Sequence, residues 1–366
     1  MSLTRRHFAA LCAGLGVAPL ADLVSASGTA AHLPAFLSAY RDPAGAFGVA
    51  ALDDAGSILF TEALPARGHD TIVSPDQSTS ITFARRPGRF ALVVDLTQQR
   101  PAFAFAAAGG RHFYGHGFFS TDGRLLYATE NDYEDERGVI GIYDVDAGYM
   151  RIGELDSYGI GPHEALLLAD QRTIVVANGG ILTHPDSPRQ KLNLASMEPS
   201  LVYLDSQNGD LVERVSLPPS LHQLSIRHMD QTGDGMIWFG GQYEGAPTDE
   251  VALVGRHQRG RAIELVDLPA EQLRHLRHYV GSVKVSADGS RIALTSPRGG
   301  VALMLNTRTF GIVQSIALPD VCGVAPRQDD FVLSTGAGFV SPEFAAGDGQ
   351  THALQWDNHL RSLTAR

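Results

Sequence analysis

The chain has 366 residues, of which 40 are acidic and 29 are lysine or arginine, and its formal net charge is −11. This charge argues against a nucleic-acid surface, which needs a net basic face. Beyond the first 31 residues, no polybasic cluster or long apolar stretch indicates a stable membrane anchor.

The first 31 residues have the pattern of an export signal. Arg5 and Arg6 precede an apolar run from Phe8 to about Val24, and small residues follow it. This pattern is typical of a signal peptide, and the run is too short and weakly apolar to span a membrane. Thr-Arg-Arg-x-Phe is similar to the twin-arginine signal. We therefore predict a periplasmic protein with one mature domain, 32–366; a cytoplasmic chain with a chance arginine pair is the alternative.

The mature chain keeps a single cysteine. Cys12 lies in the predicted signal, so Cys322 has no partner for an internal disulfide. It is either a buried apolar thiol or a metal ligand.

Short apolar runs separated by tight turns recur along the mature chain and predict an all-β fold. Each unit has a strand end, a turn containing aspartate and a second strand, as in segments 73–86, 119–131, 167–180 and 285–300. Two more strands often follow, so each unit matches a propeller blade. We predict a seven-bladed β-propeller in which the N-terminal strands, 47–64, pair with C-terminal strands to close the ring. Six or eight blades and a two-sheet sandwich are the alternatives.

Two segments interrupt the strand pattern. Residues 183–200 lack alternation and predict an inserted loop, which either carries function or is a solvated insertion. Residues 268–279 predict a single helical turn.

Histidines recur at the start of the strand that leads into the aspartate turn. His69, His116 and His163 are each 47 residues from the next, and His222 and His228 follow in the next unit. Cys322 takes the same place in a later unit. The first strand of a blade lines the central channel, so we expect these side chains to converge at one end of the axis.

The register of these histidines is uneven. His69 and His163 stand seven residues before the turn aspartate, and His116 stands six before it. Because an offset of one residue reverses the face of a strand side chain, either a bulge corrects the offset or one histidine points away. Asp70 and Glu164 occupy the other register and offer an acidic ligand.

Converging imidazoles predict a metal site for iron or copper, with zinc as a further candidate. The predicted ligands are His69, His116, His163, His222, His228 and Cys322. Two other interpretations remain: histidines hydrogen-bonded in a wet channel, or an anion pocket in which Arg67 and Arg227 join protonated histidines. No nucleophile elbow, H-E-x-x-H or haem-attachment motif occurs, so we predict no catalytic residue.

The ordered motifs also resemble a known family. It is a family of twin-arginine-exported bacterial seven-bladed β-propellers with a domain of unknown function, similar here in TRRHF, RGH, YGHG, GIGPHE, LHQLSIRH, DVCGVA and the long stretch from NGGILTHPDSP to SLVYLD. Members often occur near imelysin-type, iron-regulated proteins. The resemblance therefore implies a role in periplasmic metal handling, with other metal-handling proteins as partners. Its motifs cover the predicted ligands and add the loop residue His184. A propeller enzyme of oxidoreductase or lactonase type and a protein-interaction scaffold are the alternatives.

Overall fold

A computed structural model describes residues 34–187 and 190–363 of the chain. The predicted signal, 1–31, with Cys12, lies outside the described residues. The described residues form seven antiparallel sheets. None of their helices is long and apolar enough to cross a membrane.

The first blade combines both ends of the described chain: β1 (Phe36–Arg41), β2 (Phe47–Leu52), β3 (Ile58–Leu64), β28 (Gln355–Trp356) and β29 (Arg361–Ser362). Each of the other six blades has four strands, which follow one another along the chain. They are β4 (Gly68–Val73), β5 (Thr79–Ala84), β6 (Phe90–Asp95) and β7 (Phe103–Ala106); β8 (Arg111–Phe119), β9 (Leu125–Asp132), β10 (Arg137–Asp144) and β11 (Met150–Asp156); β12 (Pro162–Leu167), β13 (Thr173–Asn178), β14 (Ser200–Asp205) and β15 (Leu211–Ser216); β16 (Leu224–Gln231), β17 (Ile237–Tyr243), β18 (Val254–His257) and β19 (Glu264–Leu265); β20 (Ser282–Val285), β21 (Arg291–Ser296), β22 (Val301–Asn306) and β23 (Ile312–Ala317); and β24 (Val321–Arg327), β25 (Asp330–Thr335), β26 (Phe339–Ser341) and β27 (Gln350–Thr351).

N- and C-terminal strands close the ring as predicted, but the strand that pairs is β1, which precedes the predicted range 47–64. Phe36 of β1 pairs with Ser362 of β29, and Tyr40 pairs with Trp356 of β28. The innermost strands of neighbouring blades touch in sequence from β4 round to β29, which returns to β4. The seven-bladed β-propeller is confirmed, and the C-terminal strands leave no open edge on β1.

The burial pattern explains why the strands adopt this order. The second strand of a blade is apolar and buried along its whole length, as in β13, because neighbouring blades cover both of its faces. The outermost strand alternates, as in β15, where Glu213 and Val215 are half-buried and their neighbours are exposed. The core therefore lies between blades, where Val175 and Leu201 join Trp238 of the next blade.

The repeated aspartate turn has a local cause. In the third blade, the Asp122 carboxylate accepts hydrogen bonds from the Ser120 hydroxyl at 2.6 Å and the Arg124 N–H at 3.1 Å. Gly123 follows with a φ of +70°, which glycine adopts without strain. The same aspartate pairing recurs at Ser286 and Asp288, so the turn chemistry produced the repeat that the sequence shows.

Two connections are irregular. The described part of 183–200 contains a 3-10 turn, Leu194–Ser196, and no strand before β14 begins at Ser200. Lys191 of this insertion forms an ion pair with Glu244 of the fifth blade. The helical turn expected within 268–279 is present as α1 (Ala270–Leu276).

Candidate metal centre

Five histidines of the described residues meet on the inner wall of the ring. His69 lies on β4, His116 on β8, His163 on β12 and His228 on β16, whereas His359 lies between β28 and β29. They come from five successive blades, counting from the first. All are buried except His163, which is half-buried.

Bulges in the innermost strands bring these side chains to one level. In β4, two residues stand opposite one residue of β5, and in β8 three residues, 114–116, stand opposite Thr129. The pairing also shifts at His163 in β12 and beside His228 in β16. The larger bulge in β8 absorbs the uneven spacing of His116, because each extra residue re-aims the side chains that follow.

The glycines that flank His116 are required by close packing. Gly115 has a φ of +109°, and a Cβ at this position would lie 2.5 Å from Cδ2 of His69. A Cβ on Gly117 would lie 2.7 Å from the Phe83 ring. Glycine therefore allows the β8 bulge and leaves room for the neighbouring imidazole.

The five imidazoles form a compact cluster around His116. Its ring centroid lies 4.8 to 5.5 Å from each of the other four. The ring centroids of those four are neighbours in the order His69, His359, His228 and His163, with successive separations of 4.6, 4.7 and 4.6 Å. The centroids of His163 and His69 are 6.2 Å apart. His116 thus lies at the apex of a four-membered base.

Within each of two groups of three histidines, the ring nitrogens are close enough to share one ion after small side-chain rotations. His69, His116 and His359 place one ligand atom each within 4.8 Å of the others, and His116, His163 and His228 do the same. Two nitrogens on one metal ion are separated by at most about 4.2 Å, which is twice the usual bond of about 2.1 Å. The described residues therefore include buried histidine clusters that could hold a metal ion.

Three carboxylates orient the imidazoles from outside the cluster. Nδ1 of His69 lies 3.3 Å from Asp357, and Nδ1 of His116 lies 3.2 Å from Asp70. Nδ1 of His228 lies 3.4 Å from Glu164. Each carboxylate comes from the preceding blade. A carboxylate on one ring nitrogen fixes the orientation of the ring and raises the basicity of the other nitrogen.

Burial keeps four of the imidazoles neutral. It lowers the pKa of His69 to about 3 and that of His228 to about 4, although the neighbouring carboxylates act in the opposite direction. Burial also holds the pKa values of His163 and His359 well below the ordinary value. These four side chains are therefore in the form that binds metal at neutral pH.

The carboxylates are ionised despite their burial. Burial would raise the pKa of Asp70, but Arg361, whose Nη2 lies 2.7 Å away, and His116 together lower it. Burial would raise the pKa of Glu164, but His228, His116 and Lys284 together lower it to about 2. The pKa of Asp357 is likewise lowered, against the effect of burial, by His69 and two arginines.

Several ring nitrogens have no hydrogen-bond partner among the described residues. These buried atoms are Nε2 of His116, Nδ1 of His163, both ring nitrogens of His228 and Nε2 of His359. A buried polar atom without a partner costs about 1–3 kcal/mol. One bound ligand could satisfy the unpartnered nitrogens on these four clustered rings together.

The sequence assigns the chain to a family. Residues 62–363 match the family described as "Protein of unknown function (DUF1513)". The chain belongs to this family. No curated protein matches it.

Solved structures share the propeller fold of this DUF1513 protein. Among them is a chain of Kuenenia stuttgartiensis hydrazine synthase, at a TM-score of 0.62 and 14% sequence identity. The match covers 85% of the chain and 96% of the hydrazine synthase chain. In all, 1211 solved chains match, so the fold by itself does not select a function.

Two predicted ligands lie apart from the cluster. His222 is partly exposed after a 3-10 turn, Pro219–Leu221, and its Nδ1 contacts the Pro219 carbonyl oxygen at 3.0 Å. The Cys322 thiol is buried and donates to the Asp357 carbonyl oxygen at 3.3 Å. Burial raises its pKa. None of the groups of described residues that could share an ion includes Cys322, so the alternative of a buried thiol describes it.

The other candidate contacts surround the cluster at different distances. Glu164 holds His228, and Arg67 donates through Nε to Asp357 at 2.5 Å, which in turn holds His69. Arg227 lines a cavity next to the cluster. His184 lies away from the cluster in the insertion, where its ring packs edge-on against Tyr133 at 5.2 Å.

His359 was missed by the sequence reasoning. The repeat comparison aligned histidines that precede an aspartate turn, and no such turn follows His359 before the chain ends. The predicted closure of the ring could have indicated His359. The C-terminal strand that completes the first blade must be its innermost strand, so a histidine near it would face the central channel.

Proposed function

We propose that this protein binds one transition-metal ion, iron or copper, at the five-histidine cluster and serves in metal handling in the periplasm. The observation that carries the proposal is the convergence of imidazoles from five blades, with unpartnered buried nitrogens on four of them. Coordination would satisfy these nitrogens together.

The rigid scaffold supports tight binding. The rings are held by four inner strands and the segment between β28 and β29 and, for three of them, by carboxylates of the preceding blade. Little conformational entropy is therefore lost when an ion binds.

The number of ligands favours iron or copper over zinc. Imidazole nitrogen suits iron, copper, nickel and zinc. Zinc in proteins is almost always four-coordinate in structural sites, so five histidines exceed what it needs. Iron and copper accept more ligands, and five imidazoles would leave one position open on a six-coordinate ion.

The location rests on the sequence. The Arg5–Arg6 pair and the apolar run that follows support export by the twin-arginine route. Because this route moves folded proteins, the ion could be bound before export. Other periplasmic metal-handling proteins would then receive or supply it.

Elemental analysis of the protein purified from its native periplasm tests the proposal. We expect about one iron or copper ion per chain, and tight binding of added Fe(II) or Cu(II) by the metal-free protein. His116→Ala and His163→Ala should each lower the affinity about 100-fold, since each removes one ligand. His222→Ala is the matched control and should leave the affinity unchanged. Protein that takes up none of Fe(II), Cu(II) and Zn(II) would contradict the proposal.

An enzyme is the second candidate, because a cavity reaches His69, His163 and His228 from outside. Hydrazine synthase is an enzyme by its name, but a likeness at 14% identity supports the shared fold alone. Turnover of small lactones, alcohols or amines by the metal-loaded protein, abolished by His163→Ala, would favour this candidate. A broad screen without turnover would leave metal handling as the function.

A further inference from the structure

A cavity of about 70 Å³ adjoins the histidine cluster. Three histidines of the base, His69, His163 and His228, line it, whereas the apical His116 does not. The cavity therefore approaches the cluster on the side where an ion bound by five imidazoles would have its open position.

The other wall of the cavity carries three arginines, Arg85, Arg86 and Arg227. No aspartate or glutamate of the described residues lines the cavity. Three cationic groups without a facing carboxylate make a wall that attracts an anion.

The acidic groups behind this wall do not neutralise it. Arg85 shares Asp357 with Arg67. Arg227 shares Glu244 with Lys191, and its contact with Glu244 is long, at 3.7 Å. These pairings leave two carboxylates for four cations.

Arg86 adds a fifth cation. It is half-buried and forms no hydrogen bond or ion pair with any residue that the structure describes. The wall therefore has a surplus of positive charge before any metal ion binds. A bound oxyanion would offset this surplus and accept charge-assisted hydrogen bonds from the guanidinium groups.

Uncharged donors complete the cavity. The Tyr114 side chain is buried, and its hydroxyl group forms no hydrogen bond of normal geometry among the described residues, although Thr183 lies close to it. The Tyr279 hydroxyl accepts a hydrogen bond from Asn358 at 2.9 Å, so its own proton is left to donate. Both tyrosines line the cavity.

Glycines keep the cavity open. A Cβ on Gly161 would lie 3.6 Å from the Tyr114 hydroxyl oxygen. A Cβ on Gly179 would lie 2.7 Å from the Ser225 hydroxyl oxygen. Side chains at either position would occupy the space beside these donors.

We propose that this cavity binds a small carboxylate-type oxyanion, such as carbonate or a short organic acid, which ligates the metal ion at its open position. The inference rests on the proposed metal site. One oxygen of the planar anion faces the ion, and another faces Arg86, Arg227 and the Tyr114 hydroxyl group. By linkage, the anion then raises the affinity for the metal by the same factor by which the metal raises the affinity for the anion.

Cu(II)-loaded protein in an anion-poor buffer tests this inference. Titration with bicarbonate or acetate should shift the electron paramagnetic resonance spectrum of the copper in a saturable manner. Arg86→Gln and Arg227→Gln should each weaken this anion binding about tenfold or more, because each removes a charge-assisted hydrogen bond. Arg124→Gln, which changes an exposed arginine paired with Asp146, is the control and should leave it unchanged.

The outcomes separate the two proposals. Copper that binds tightly but keeps its spectrum in every anion overturns the anion site and leaves the metal site standing. A response to phosphate without one to bicarbonate or acetate overturns the carboxylate assignment. If Cu(II) does not bind but Fe(II) does, the same anion titration is made on the Fe(II)-loaded protein. If none of Fe(II), Cu(II) and Zn(II) binds, the metal site fails, and the ligation proposed here fails with it. Calorimetry of acetate and bicarbonate with the metal-free protein then shows whether the cavity holds an anion on its own.

Discussion

Replacing Gly115 by alanine should disturb the cluster through one defined contact. The new Cβ would lie 2.5 Å from Cδ2 and 3.0 Å from Cβ of His69, which must move away. A non-glycine residue at a φ of +109° also costs about 1–3 kcal/mol in backbone strain. Overpacking adds about 1–3 kcal/mol, so we expect the free energy of unfolding to decrease by about 2–6 kcal/mol.

Thermal unfolding and metal titration measure the two parts of this effect. For about 330 residues, the expected loss corresponds to a decrease in Tm of about 3–9 °C. Metal affinity should fall about 100-fold, because His69 is displaced as a ligand.

Gly148→Ala is the matched control. Gly148 has a φ of +68°, and nothing lies within 4 Å of its Cβ position. The Gly148→Ala variant should therefore lose only about 1–2 kcal/mol of its free energy of unfolding through backbone strain, and it should keep the metal affinity of the wild type. A Gly115→Ala protein that binds metal as tightly as this control would refute the assigned role of the β8 bulge.

Three further predictions concern the surroundings of the cluster. Asp70→Asn removes the charge that holds His116, so metal affinity measured by competition with a chelator should fall about 10- to 100-fold; an unchanged affinity would show that this carboxylate does not orient a ligand. Cys322→Ala should leave the metal affinity within about twofold, and the wild-type thiol should react with thiol reagents only after unfolding; fast reaction of the folded protein would contradict its burial. Metal at about 100 times its Kd should raise Tm by about 4 °C, since it adds about 2.7 kcal/mol to the free energy of unfolding, and a scan without this shift would argue against specific binding to the folded state.

The sequence predicted the architecture because the repeat carries its own turn chemistry. Ser120, Asp122 and Gly123 form one such turn, and similar residues mark the same point in other blades. Strand spacing and closure follow from these units, so the number of blades could be counted before any coordinates were known.

The site was predicted only in part, because its geometry depends on irregularities. The strand pattern did not determine which face of β8 carries the His116 side chain. The size of the β8 bulge determines that face. His222 begins its segment as the pattern required, yet a 3-10 turn keeps it outside the inner strand β16, and His228 reaches the cluster instead. Asp70 and Glu164 contact imidazoles of neighbouring blades, which sequence spacing within one blade does not reveal.

The first blade is the joint of the ring, because its strands come from opposite ends of the described chain. Asp357 and His359 lie within its C-terminal portion, beside β28 and β29. An ion bound by His359 and the other four histidines would therefore connect the C-terminal part of the first blade to four other blades. Without the bound ion, amide hydrogens of β1 and β28 should exchange with solvent before those of the remaining blades. The ring would then open locally at the first blade, where N- and C-terminal strands pair.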